Sequence, residues 1–147
     1  MLGFNHTLAG SIVAVIVPAP FVPIVALVSH YLLDMLPHFG ASDTVKPYTT
    51  SFKRLLITDA ILCIVALIFA IILFPEQWLI IMIGAFFGTA PDFLWILQNR
   101  GPRWLDIILD WSEWIQWGER PYGWILDAIY ALLMAITLYL LAGQPWS

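Results

Sequence analysis

The sequence predicts an all-α integral membrane bundle of about four to five membrane helices, the first of them short and open to a re-entrant reading, plus one amphipathic interfacial helix. Three observations predict it. Of the 147 residues, 61% are hydrophobic and only 11% are charged, against about 25% charged in an ordinary soluble domain. No packed core of this size hides that much apolar surface, so lipid must solvate much of it. Long apolar runs are separated by turns built on Pro, Gly, Glu and Asn. Finally, four of the eight tryptophans, Trp104, Trp111, Trp114 and Trp117, fall in one amphipathic segment, and Trp favours the membrane–water boundary.

The chain reads as a single membrane-embedded domain, 1–147. Residues 7–17 are apolar and helical in composition, but at about 1.5 Å per residue they fall short of a hydrocarbon core of roughly 30 Å. Pro18, Pro20 and Pro23 then break the run. Pro is accepted in a first helical turn, so the next helix is placed at 20–36, and the two limbs form a hairpin. The start lacks the basic region of a signal peptide, so it is read as part of the mature fold. Residues 39–51 read as a polar loop. A long helix follows at 52–74, ended by Pro75. After Glu76-Gln77 the next span is 78–98, and Asn99-Arg100-Gly101-Pro102 makes a turn. The last span is 122–142. Gly84 and Gly88 form a small-xxx-small pair suited to helix packing. The lone Cys63 sits in an aliphatic run and reads as a small core residue.

Segment 103–117 differs. Arg103, Asp106, Asp110, Glu113 and Gln116 recur at helical spacing, opposite Leu105, Ile108, Trp111 and Ile115. It is expected to lie flat on the membrane, roofing a site or offering its tryptophans to a protein partner. All six basic residues fall in 46–54 and 100–120, while the turn on the other side carries Glu76. The positive-inside rule makes the charged face cytoplasmic in a bacterial or archaeal inner membrane. A net charge of −4 and no basic run longer than Lys53-Arg54 argue against nucleic acid as a partner.

The chemistry-bearing residues stand out against this background. Ser29-His30-Tyr31-Leu32-Leu33-Asp34-Met35-Leu36-Pro37-His38 places His, Asp and His at four-residue intervals on one helical face. Ionisable side chains at membrane depth are costly and need a partner or a task. Imidazole and carboxylate together suit Zn²⁺ best, with Mn²⁺ or Fe²⁺ as alternatives. His30 and Asp34 can share an ion, as can Asp34 and His38. His30 and His38 lie about 12 Å apart on a straight helix, so either Pro37 bends the end back or two ions are held. The topology collects His6, Asp59, Asp92 and Asp127 in the same half of the bilayer. His6, Asp59 and Asp92 are candidates to complete the metal shell. Asp59 or Asp127 is a candidate catalytic base for a metal-activated water. Bland readings stand beside these: Asp59 pairing with Lys53 or Arg54, and Asp92 and Asp127 making structural hydrogen bonds.

The early His6-Thr7-Leu8-Ala9-Gly10, the Ser-His to Pro-His element at 29–38, and Gly88-Thr89-Ala90-Pro91-Asp92 together resemble small bacterial and archaeal membrane proteins described as predicted membrane-bound metal-dependent hydrolases. The resemblance covers the first hundred residues loosely. It implies metal ligands at His6, His30, Asp34, His38 and Asp92. The chain lacks the later His-Arg-Gly-x-Thr-His-Ser element of many such proteins. The expected activity is hydrolysis of a lipid or lipid-linked phosphate or ester at the cytoplasmic leaflet. The alternative is a non-catalytic scaffold or subunit docking through 103–117.

Overall fold

A computed structural model describes residues 1–40, 49–94 and 101–144. Parts of the expected loop at 39–51, the end of the span at 78–98 and the turn at 99–102 lie outside the described residues. The fold is all-helical: α1 (Gly3–Ile16), α2 (Val22–Asp34), α3 (Thr50–Leu73), α4 (Trp78–Leu94), α5 (Arg103–Ile115) and α6 (Trp124–Ala142). Short 3₁₀ turns follow α1 and α3, at Ala19–Phe21 just after Pro18 and at Pro75–Gln77. The only strands among the described residues are β1 (His38–Phe39) and β2 (Glu119–Arg120), paired parallel with His38 opposite Glu119.

Three helical stretches are long and apolar enough to cross a membrane, at Thr50–Leu73, Pro75–Leu94 and Trp124–Ala142, with mean hydropathies of 2.9, 1.3 and 2.1. This fits a membrane protein. The remaining apolar helices, Gly3–Ile16 and Ala19–Asp34, are shorter. Their apolar composition persuades, but Pro18 cuts the first limb and the turn after Asp34 ends the second.

The short α1 is the centre of the bundle, touching α2, α3, α4 and α6. Most of its side chains are buried, whereas α3 buries only Ala66 and Ala70. Small residues permit this. A Cβ on Gly10 would strike the carbonyl of Gly84, a Cβ on Gly84 would strike that of Gly10, and one on Gly88 would lie 2.7 Å from the carbonyl oxygen of His6. The helix start at Gly3 is four residues earlier than the composition indicates, because Asp59 of α3 supplies the acceptors that α1's first amides need. Gly3 and Phe4 N–H donate to its two oxygens at 2.9 and 3.1 Å. On α2 the buried residues are Val22, Ala26, His30 and Asp34, a single row at four-residue spacing. The opposite side exposes Ile24, Leu27, Val28 and Leu32. Exposed apolar rows of this kind are what lipid covers.

The Gly10–Gly84 approach holds the backbones of α1 and α4 in direct contact. Gly10→Leu should therefore lower stability by more than the ~1–3 kcal/mol of ordinary overpacking, since backbone rather than a side chain must yield. Thermal unfolding in detergent checks this. A melting temperature equal to wild type would show that α1 and α4 do not meet there.

Candidate metal centre

Three helix termini converge at the same end of the bundle. His6 comes from the first turns of α1, His30 and Asp34 from the end of α2, and Asp92 from the last described turn of α4. His6, His30 and Asp34 are at most 1% exposed, and the Asp92 side chain is 30% exposed. His6 Nε2 lies 3.1 Å from Asp34 Oδ1 and 4.0 Å from Asp92 Oδ2. His30 Nε2 lies 3.2 Å from Asp34 Oδ2 and 3.8 Å from Asp92 Oδ1. The two imidazoles stack with centroids 4.0 Å apart. One ligand atom from each of the four residues lies within 4.8 Å of all the others. A tetrahedron with bonds of about 2.1 Å has edges of about 3.4 Å, so the four side chains would draw together slightly around an ion.

The hydrogen-bond roles favour a cation at the centre. His30 Nδ1 sits 2.8 Å from the carbonyl oxygen of Gly88. A carbonyl only accepts, so Nδ1 carries the proton. In the neutral ring Nε2 is then a lone pair, aimed at two carboxylates. Acceptors facing acceptors repel unless a proton or a metal lies between them. The Nδ1–H to carbonyl bond is also the contact that fixes the tautomer of metal-bound histidines. With neutral imidazoles the two carboxylates carry two negative charges, which a divalent ion balances. The Met1 amino group reaches Asp34 Oδ1 at 2.6 Å, a contact that a metal ion would compete with. Gln116, the residue that follows α5, donates from Nε2 to Asp34 Oδ2 at 3.3 Å, which orients the carboxylate.

The other expected residues fall elsewhere. α2 ends at Asp34, so His38 is not on the helix with His30. It lies in β1, where Nδ1 donates to the carbonyl oxygen of Leu36 at 2.7 Å and Nε2 is 3.9 Å from Glu119 Oε1. The structure does not bring His38 to the quartet. Asp59 faces the same cavity as the quartet, yet both its oxygens are taken by the amides of Gly3 and Phe4. Asp127 is buried on α6, its backbone carbonyl accepting from Asn5 Nδ2 at 3.2 Å. Gln116 and the Gly88 carbonyl are site components that the sequence reading did not assign. In sequence Gln116 is one polar residue of an amphipathic helix, and Gly88 is a packing glycine that also opens the Gly-Thr-Ala-Pro-Asp element.

A cavity of about 830 Å³ opens beside the quartet. His30 and Asp92 form part of its wall, with Asp59, Thr89, Ser112 and Glu113 of α5, and the following Gln116. Much of the rest is apolar, from α3 (Phe52, Leu55, Ala60, Ile64) and from Leu109. The quartet is therefore reachable from a space that would accept an amphiphile.

Comparisons with protein-family models, with curated proteins and with solved structures find no match to this chain.

The two roles open to Asp59 separate cleanly. Asp59→Ala leaves the Gly3 and Phe4 amides unpaired and should cost about 1–2 kcal/mol, the usual loss of a helix cap. Asp59→Asn keeps one acceptor and should recover about half. If Asp59 were instead a metal ligand, Asp59→Asn would retain stability and lose bound metal; metal analysis beside thermal melts distinguishes the cases.

Proposed function

We propose that the protein is a membrane-embedded metal-dependent hydrolase acting on a lipid or lipid-linked ester or phosphate. The observation that carries this reading is the placement of His30 and Asp92. Both belong to the buried quartet, and both face a cavity large enough for an amphiphile. His6, His30, Asp34 and Asp92 hold the ion, with Zn²⁺ the best match to two imidazoles and two carboxylates, and Mn²⁺ or Fe²⁺ next. When bound, such an ion supplies a polarised carbonyl or phosphoryl oxygen and an acidified water. The chain's own contributions are distinct. Gly88 and Gln116 orient His30 and Asp34. Asp92 Oδ2 is buried without a hydrogen-bond partner among the described residues, an acceptor that a bound cation would satisfy. Asp59 and His38 act outside the metal shell on this geometry.

The membrane frame follows the same logic. α3, α4 and α6 span, α1 and α2 form a short hairpin in which α1 is central and α2 packs on α1 and α4 with its other face outward, and α5 lies at the interface with Trp104, Trp111, Trp114 and the following Trp117 outward, each about half or more exposed. The positive-inside rule, applied to the basic residues of 46–54 and 100–120, supports a cavity mouth on the cytoplasmic face of an inner membrane.

Elemental analysis of detergent-purified protein tests the reading directly. About one equivalent of Zn, Mn or Fe per chain is expected, lost in His30→Ala/Asp34→Ala. Gln116→Ala should retain the fold and lower metal affinity by about 10–100-fold, the usual effect of removing a partner that orients a ligand. Folded wild type that takes up no metal after reconstitution sinks the proposal.

The exposed tryptophans of α5 favour a second reading, a non-catalytic subunit docking through that helix. Under it, a stable partner co-purifies with wild type and is lost in Trp111→Ala/Trp114→Ala but kept in His30→Ala. Unchanged co-purification in the tryptophan variant removes the second reading.

A further inference from the structure

We infer that the chain binds a second divalent metal ion between His38, Glu119 and Asp127, where β1, β2 and the start of α6 meet. The site shares no ligand with the quartet and does not depend on it.

Local packing builds the junction. Three glycines let the segment after α2 press into the connection between α5 and α6. A Cβ on Gly118 would lie 2.7 Å from the carbonyl oxygen of Leu36, one on Gly123 would strike the backbone of His38, and one on Gly40 would strike the Glu119 side chain. β1 and β2 then pair with His38 opposite Glu119. At the start of α6, Gly123, Asp127 and Tyr130 stand at i, i+4 and i+7 and so share one face. Gly123 meets His38, and the Tyr130 hydroxyl donates to the carbonyl oxygen of Pro37 at 3.3 Å. Asp127 lies between those two contacts and faces the same segment. The His38 ring is one of the groups whose charge acts on its carboxylate.

Donors and acceptors do not balance there. His38 is fully buried, and its Nδ1 donates to the carbonyl oxygen of Leu36. In the neutral ring Nε2 is then a lone pair. It has no hydrogen-bond partner among the described residues, and neither has either side-chain oxygen of Asp127, a residue 1% exposed. The Leu2 and Phe39 amides lie near Asp127 without closing a bond. The Met1 amine also acts on Asp127 but is engaged with Asp34. Buried polar atoms are seldom left unpaired, and these are all acceptors. Glu119 adds another, with Oε1 3.9 Å from His38 Nε2. That is too long for a hydrogen bond, yet two metal–ligand bonds of about 2.1 Å span up to about 4.2 Å. One neutral imidazole and two carboxylates carry two negative charges, which a divalent ion balances. The donor set suits Zn²⁺, with Mn²⁺ or Fe²⁺ next. The Glu119 side chain is 42% exposed and borders the large cavity, which gives the ion a way in. The trio is more open than the quartet, whose ligand atoms all lie within 4.8 Å of one another. The second ion is therefore the weaker of the two, and Glu119 closes on it.

The test is a Zn²⁺ titration of full-length, chelator-stripped protein in detergent, read by calorimetry and by thermal melts. Wild type should take up one equivalent beyond the quartet's, and that uptake should raise the melting temperature. Glu119→Gln alters a partly exposed side chain and should fold. It should weaken the second uptake at least about tenfold and lose the accompanying rise in melting temperature. His38→Gln should abolish the second uptake and leave the quartet's unchanged, whereas His30→Gln should do the reverse. If His38→Gln does not fold, Glu119→Gln decides. Uptake that responds to His38 and Glu119 but not to His30 upholds this site and sinks the hydrolase reading. Two outcomes overturn the inference. One is wild type with no uptake beyond the quartet's, which would make His38 an imidazolium paired with the two carboxylates. The other is a second uptake that folded Glu119→Gln retains at full affinity.

Discussion

Asp34 is a carboxylate buried at one end of an apolar bundle, and the surrounding packing makes that tolerable. A buried charge without partners is among the most costly features a fold can carry. Here Asp34 meets His6, His30, Gln116 and the Met1 amine. Each of these contacts depends on a different piece of the chain, so the carboxylate ties α1, α2 and α5 to one point. The glycine contacts of α1 and α4 are part of the same arrangement. Only at a separation that excludes a Cβ on Gly10, Gly84 and Gly88 does α4 bring the Gly88 carbonyl under His30 and Asp92 beside both imidazoles.

The helical content and the polar row on α2 were legible because both are local. Alternation of apolar runs with Pro and Gly marks the helices, and four-residue spacing marks a shared face. Val22, Ala26, His30 and Asp34 confirm that spacing as the buried row of α2. His38 continues the same spacing in sequence but not in space. The chain leaves the helix after Asp34, and His38 pairs in parallel with Glu119. That pairing joins segments some eighty residues apart, and a two-residue strand has no pattern to announce it.

Asp59 shows a second kind of limit. A carboxylate just inside a basic pair suggests either an ion pair or a catalytic base. The structure gives it to the amides at the start of α1. This could be anticipated only by knowing that α1 begins at Gly3, and helix starts without a local capping side chain are hard to place. Leu2 precedes the helix and offers no side-chain acceptor, so the cap had to come from another helix. Gln116 was missed for a related reason. It was read as one polar residue among several on an amphipathic surface, and its contact with Asp34 crosses between helices.

The amphipathicity of α5 takes on a specific meaning in this setting. Its indole and isoleucine side chains, Trp104, Ile107, Ile108, Trp111 and Trp114, face outward. Ser112, Glu113 and Gln116 border the cavity. Leu105, Leu109 and Ile115 are buried between these faces, so under the proposed function one short helix would meet the membrane surface with one side and border a polar site with the other. Gln116 is the residue through which the two are joined, since it directly follows α5 and donates to Asp34. A shift of α5 on the membrane would therefore be felt first at the carboxylate that holds both imidazoles, and with it at the wall of the cavity.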